Sequence, residues 1–228
     1  MSQVNSLSVV ESFAHKRVLI TGVTGFLGKA ILEKILRETP DVSQICLLVR
    51  SSTRLSAHER CMADVFDSSL FDVLRDKHGA GFDAFIASKV TVVSGELTLP
   101  LFGLSQEAFT KIAQSLDLVI NSAASVNFRE AMDQALKINT LSLNNIVALT
   151  QYKGDSANPT KVLQISTCYV NGFNRGVMRE EVVSPASGLI PRKDDDTFEI
   201  QPVIEQLNAK IDRIYQATDN PDKQQKKL

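Results

Sequence analysis

The chain has 228 residues and a mass of 25.0 kDa, and its 43% hydrophobic content suits one α/β domain with a sizeable core, with little room for a second. With 25 basic and 26 acidic residues the net charge is -1, so the electrostatics supply no reason for a nucleic acid partner. Cys46, Cys61 and Cys168 lie far apart without a C-x-x-C pair, and His15, His58 and His78 have no ligand-like spacing, so neither a disulfide frame nor a zinc site is supported.

Residues 1–15 read as a short polar leader, lacking the basic start and apolar run of a signal peptide, and no apolar stretch approaches bilayer-spanning length. A soluble, cytoplasmic protein of a reducing compartment is expected. Val18, Leu19 and Ile20 then form an apolar run suited to a buried parallel strand. Thr21-Gly22-Val23-Thr24-Gly25-Phe26-Leu27-Gly28 follows at once, and Leu27, Ile31 and Ile35 recur at helical intervals. Strand, glycine turn and helix in one line form a dinucleotide-binding fingerprint. Gly22 allows the tight turn, Gly25 the approach of backbone to a pyrophosphate, and Gly28 close packing of helix on sheet, with free N–H groups at the helix start facing the phosphates.

Thr39-Pro40-Asp41 ends that helix, and Ile45 to Val49 is a continuous apolar run fit for a strand covered on both faces. It ends at Arg50, the position that meets the adenine ribose in such folds. An acid there bonds a free 2′-hydroxyl, whereas a guanidinium accepts a 2′-phosphate. No Asp or Glu lies between Asp41 and Glu59, and Ser51, Ser52 and Arg54 add donors, so the expected cofactor is NADPH.

Ser56 to Arg75 reads as a helix or helix pair, with Cys61, Val65, Leu70 and Leu74 inward and Ser56–Glu59 as a capping box. Val90 to Val93 is the third strand, leading into Gly95-Glu96-Leu97. Ser105 to Leu116 is helical, and Leu118 to Ile120 is the fourth strand. Its end, Asn121-Ser122-Ala123-Ala124, carries small residues that let a ligand lie against backbone where open sheets bind ligands. Met132 to Tyr152 reads as one amphipathic helix with Leu136, Asn139, Leu143 and Val147 inward. Lys161 to Ile165 is the fifth strand. A polar segment follows, including Asp194-Asp195-Asp196, read as a solvated loop rather than a metal site, before a helix spaced by Val203, Leu207, Ile211 and Ile214. The expected architecture is a Rossmann-like, doubly wound parallel α/β sheet: leader 1–15, NADP-binding core 16–172, and an irregular segment with a helix over 173–228.

The turn resembles the variant found in the extended short-chain dehydrogenase/reductases. Together with Val126-Asn127-Phe128, Ser68 to Arg75 and Ser166 to Gly172, the set resembles the fatty acyl-CoA reductases, whose fold is shared by thioester reductase domains. The resemblance covers roughly Arg17 to Ile190. It implies NADPH-dependent reduction of a long-chain acyl-CoA to fatty aldehyde or alcohol, with a hydroxyl polarising the carbonyl, a tyrosine donating the proton and a lysine holding the nicotinamide ribose. Peripheral membrane contact stays open. Thr167 matches the hydroxyl. Thr21, Gly22, Thr24, Gly25, Phe26, Leu27, Gly28, Arg50, Glu96, Leu97, Asn121, Ala123 and Ala124 match cofactor positions, and Glu96 replaces a shorter acid that holds the adenine edge. Asn139 is either a satisfied core amide or the asparagine that recurs in the superfamily.

The tyrosine and lysine should stand as Tyr-x-x-x-Lys, one helical turn apart. Tyr152, Tyr169 and Tyr215 are followed four places on by Ser156, Phe173 and Asp219. The expectation is therefore the front part of a longer reductase, inactive alone. The alternative is an NADP-binding sensor or scaffold without turnover. A covalent role for Cys168 is not expected, since a strand-end cysteine usually packs.

Overall fold

Apolar residues adjacent in sequence can all be buried in a strand only if both faces of its sheet are covered. Val18, Leu19 and Ile20 satisfy that condition in the computed structural model, which describes residues 8–153, 157–167, 176–177 and 199–217. These residues fall into two compact units, one drawn from within Met1–Val126 and Lys137–Ile165, the other from within Asn127–Leu136 and Ser166–Leu228.

The first unit is built on five parallel strands: β1 (Arg17–Thr21), β2 (Gln44–Val49), β3 (Val90–Ser94), β4 (Leu118–Asn121) and β5 (Lys161–Gln164). Their order is β3-β2-β1-β4-β5. The chain winds outward from β1 through β2 to β3, then crosses back to place β4 on the other side of β1. That reversal opens a crevice at the carboxyl ends of β1 and β4, the place where ligands bind in open α/β sheets.

Alternate residues of the strands feed two cores. Val18, Ile20, Ile45 and Leu47 pack under α2 (Phe26–Glu38), α3 (Ala57–Cys61), α4 (Asp72–His78) and α5 (Phe82–Lys89). Leu19, Leu48 and Val119 pack on the opposite face with Phe109 of α6 (Gln106–Ser115) and with Ile146 and Leu149 of α8 (Leu143–Gln151). Each such fully buried side chain contributes about 1.5–3 kcal/mol of transfer free energy.

Several details depart from the sequence reading. The leader contains a short helix, α1 (Val9–Phe13), closed by a capping box between Ser8 and Glu11, and Phe13 packs against the first core. The inner stripe of α2 is Gly28, Leu32, Ile35 and Leu36, one position round from the expected one, and Leu27 is exposed. α5 carries no periodic signal in the sequence, because its apolar residues are not confined to one helical face. The expected long helix from Met132 is three pieces: α7 (Met132–Leu136), a π-turn over Lys137–Leu141, and α8. The π-turn, closed by Ser142 N to Lys137 O at 3.1 Å, inserts an extra residue and rotates α8 about its axis. Ser142, Ile146 and Leu149 are therefore buried, while Asn139 and Val147 face solvent.

The second unit contains α7 and α9 (Gln201–Gln216). Val203, Leu207, Ile211 and Ile214 are half-buried along α9, as their spacing requires, and Tyr215 Oη donates to Asp133 Oδ2 at 2.7 Å.

Candidate functional site

The turn after β1 is shaped by three glycines with different neighbours. Gly22 has φ +73°, and a Cβ there would lie 2.6 Å from the Ser122 carbonyl and 2.7 Å from Ala123 N, so only glycine lets the ends of β1 and β4 meet. Gly28 is tighter still, with a Cβ falling 2.3 Å from Gly22 O. The nearest atoms belong to the turn at Gly22 and Val23, directly after β1, so Gly28 lets α2 pack closely on the end of the strand.

Gly25 differs. It is exposed, and an added Cβ would meet only Gly22 O, at 3.3 Å, so its outer side is open. As N-cap of α2 it offers no side-chain hydrogen bond, and the first turn carries no acid. The amides at the start of this 13-residue helix are left for an external acceptor, and the helix dipole favours an anion. Val23 is buried and anchors the turn, whereas the Phe26 and Leu27 side chains are exposed, leaving backbone rather than side chains to face a phosphate. Thr24 lines a polar groove with Lys29, Arg60 and Ser68. The open glycine, uncapped helix start and crevice fit the pyrophosphate of a dinucleotide.

Thr21 and Asn121 are buried side by side. Thr21 Oγ1 donates to Asn121 Oδ1 and accepts from Ala123 N at 3.2 Å, while Asn121 Nδ2 donates to Gln164 Oε1 at 2.8 Å. Both side chains are therefore committed to tying β1, β4 and β5 together at the crevice floor. Ala123 packs against the second core, and Ala124 is exposed beside it. Ser125 is held at two points by Asn139, whose Oδ1 accepts from Ser125 N at 2.8 Å and whose Nδ2 donates to Ser125 O at 3.1 Å. Asn139 is exposed and fixes the segment after β4, so it is not a core amide.

At the tip of β2, Arg50 Nη1 lies 3.2 Å from Glu96 Oε2. Nothing in the sequence pairs these two residues, which the register of β2 and β3 brings together. Arg60 Nη1 donates to Arg50 O at 2.5 Å from α3, whose start is closed by the Ser56–Glu59 capping box. Leu97 is buried, and its carbonyl accepts from Asn145 Nδ2 at 2.8 Å, a residue the helical stripe had passed over because the π-turn brings it inward.

Burial pushes the Cys46 thiol up to about 11, only partly offset by Arg17, and burial together with Asp64 pushes Cys61 up to about 12. Both stay protonated and inert. Among the described residues no group of His, Cys, Asp and Glu could hold a metal, and no helix is long and apolar enough to cross a membrane. Thr167 is exposed and belongs to the second unit, and Cys168 to Gly172 and the Asp194 to Asp196 run lie outside the described residues.

Residues 20–226 match the family described as male sterility protein. Among curated relatives, the chain is 38% identical over 179 residues to fatty acyl-CoA reductase 2, chloroplastic, of Arabidopsis thaliana, covering 78% of this chain and 28% of the relative. It is 36% identical over 180 residues to the alcohol-forming fatty acyl-CoA reductase of Simmondsia chinensis, covering 76% of this chain and 35% of the relative. The chain thus spans about a third of the length of the relatives it matches. Among solved structures, the terminal R domain from the myxalamid PKS-NRPS biosynthetic pathway aligns with TM-score 0.57 and 27% identity, over 72% of this chain and 38% of that one. A thiolation-reductase di-domain from an archaeal non-ribosomal peptide synthetase aligns with TM-score 0.52 and 28% identity, over 70% of this chain and 30% of that one.

Proposed function

The chain belongs to the male sterility protein family, and from that premise we propose that it is the NADPH-binding part of a reductase acting on long-chain acyl-CoA. The observation that carries the cofactor reading is the open Gly25 turn at the β1–β4 crevice, with Arg50 at the tip of β2. The substrate reading draws on the relatives named as fatty acyl-CoA reductases.

When bound, NADPH supplies a hydride. The amides of Phe26 and Leu27 and the open side of Gly25 would take the pyrophosphate, Arg50 would take the 2′-phosphate, and the backbone after Asn121 would line the path of the nucleotide. Glu96 and Leu97 belong to the adenine side. By the family resemblance, the Thr167 hydroxyl would polarise the thioester carbonyl oxygen by donating a hydrogen bond to it. Proton delivery to that oxygen is the task of a Tyr-x-x-x-Lys pair, which this sequence does not contain, so the chain alone turns over slowly at best.

NADPH oxidation is followed with and without palmitoyl-CoA, on this chain and on a longer one carrying Tyr-x-x-x-Lys. The reading expects acyl-dependent oxidation from the longer chain, with fatty aldehyde or alcohol as product, and a rate lower by about 10²–10⁴-fold from 1–228. Comparable rates from both overturn the assignment of the proton donor. No acyl-dependent oxidation from either overturns the substrate, and leaves NADPH binding without turnover as the function. A cytoplasmic location is part of the same reading, checked by cell fractionation.

A further inference from the structure

Arg50, proposed to take a 2′-phosphate, already faces the Glu96 carboxylate with its guanidinium. The two partners are held very differently. Glu96 is built in from several directions. Its N–H donates to Phe102 O at 2.9 Å, its Oε1 accepts from Thr98 Oγ1 at 3.1 Å, and its neighbours are tied by Gly95 N to Val49 O at 3.1 Å and Asn145 Nδ2 to Leu97 O at 2.8 Å. The turn that supplies Phe102 O contains two non-glycine residues in the left-handed region, Leu101 at φ 53° and Phe102 at φ 59°. Such backbone is unfavourable, and here it is held by burial of the Phe102 ring against Phe109. A strained, clamped loop thus presents the Glu96 carboxylate at a fixed point.

Arg50 is the movable partner. Its carbonyl is pinned by Arg60, but its side chain is 69% exposed against 24% for Glu96, and among the described residues its ion pair is with Glu96. An exposed pair of this kind shifts an equilibrium by about two- to fivefold. A 2′-phosphate carries nearly twice the charge of a carboxylate and matches the guanidinium with paired hydrogen bonds, so it can take the arginine from Glu96.

We infer that Glu96 is a built-in competitor for the 2′-phosphate: it pairs with Arg50 against the phosphate and lowers NADPH affinity while leaving NADH affinity alone. This rests on the NADPH reading of Arg50. Glu96 is then a specificity residue acting through Arg50, a role different from holding the adenine edge. A contact to adenine serves NADPH and NADH alike, whereas competition for Arg50 concerns only the phosphorylated cofactor.

The test is calorimetric titration of NADPH and of NADH into the full chain and into Glu96→Gln, Arg50→Ala and the double variant. Glutamine keeps an oxygen for Thr98 and removes the charge. The inference expects Glu96→Gln to bind NADPH two- to fivefold tighter with NADH unchanged, and expects this gain to vanish when Arg50 is alanine. Weaker binding of both cofactors by Glu96→Gln assigns Glu96 to adenine and overturns the inference. Weaker or unchanged NADPH binding alone makes Glu96 a support for Arg50, or nothing, and also overturns it. A parent chain without NADPH preference, or an Arg50→Ala variant that keeps the preference, overturns the underlying reading and the inference with it.

Discussion

Thr21 and Asn121, separated by 100 positions, close the floor of the crevice by a hydrogen bond between their buried side chains. Register places them opposite each other in neighbouring parallel strands. Thr21→Val keeps the shape but leaves Asn121 Oδ1 and Ala123 N without their partner. An orphaned buried polar group costs about 1–3 kcal/mol, so the variant should unfold at lower urea with an unchanged slope. Adding Asn121→Leu should recover part of that loss, because the oxygen left unpaired is then gone. Simple additivity of the two losses contradicts the pairing.

The glycines separate stability from binding. Gly28→Ala forces a Cβ to 2.3 Å from Gly22 O and should destabilise the chain by several kcal/mol or prevent folding. Gly25→Val should instead keep a parental circular dichroism spectrum and lose NADPH binding, since the branched side chain would stand where the proposed reading puts the phosphates. A folded Gly25→Val that binds like the parent places the cofactor elsewhere.

Asp117 ties the opposite end of the sheet, accepting from Arg17 N at 2.9 Å and lying 3.3 Å from Lys153 Nζ. Burial pushes its carboxyl up, but the Arg17 amide and Lys153 more than offset this, and the net pKa is below the ordinary value. A depressed folded pKa stabilises above the unfolded value, near 4, and that stabilisation is lost as pH falls through the folded value. Asp117→Ala should therefore cost about 1–2 kcal/mol at neutral pH, with the gap to the parent narrowing below about pH 4. A gap that is constant with pH contradicts the charge assignment.

Cys46 and Cys61 should resist alkylation in the folded chain. At pH 8 a thiol titrating near 11 is about one part in 10³ thiolate, and the full burial of Cys61 adds an access barrier there. Peptide mass mapping after brief iodoacetamide treatment should find both unmodified, and modified after denaturation. Fast labelling in the native chain contradicts the burial of Cys61 or, at the half-buried Cys46, its raised pKa.

Much of this was legible because the signals are local. Strand, glycine turn and helix follow one another within Arg17 to Glu38, and the apolar runs of β2 and β4 mark doubly covered strands without reference to anything distant. Non-local features were not legible. The Arg50–Glu96 pair joins residues 46 apart through the register of β2 and β3, and neither side chain announces the other. The left-handed Leu101–Phe102 pair has no glycine or asparagine to signal it. The π-turn over Lys137–Leu141 changes the helical phase without a proline or glycine to mark the change, so the stripe drawn through Leu143 and Val147 misses Asn145 and Ile146.

The central claim is that this sheet binds NADPH through the Gly25 turn and reads its 2′-phosphate with Arg50. Its most direct measurement is calorimetric titration of NADPH and NADH into the chain and into Arg50→Ala. A charge-assisted guanidinium to phosphate contact is worth roughly 1.5–3 kcal/mol, from which the account predicts NADPH bound about tenfold or more tighter than NADH, and the two bound alike once Arg50 is alanine. Equal affinities in the parent chain, or a preference for NADPH that survives Arg50→Ala, contradict it.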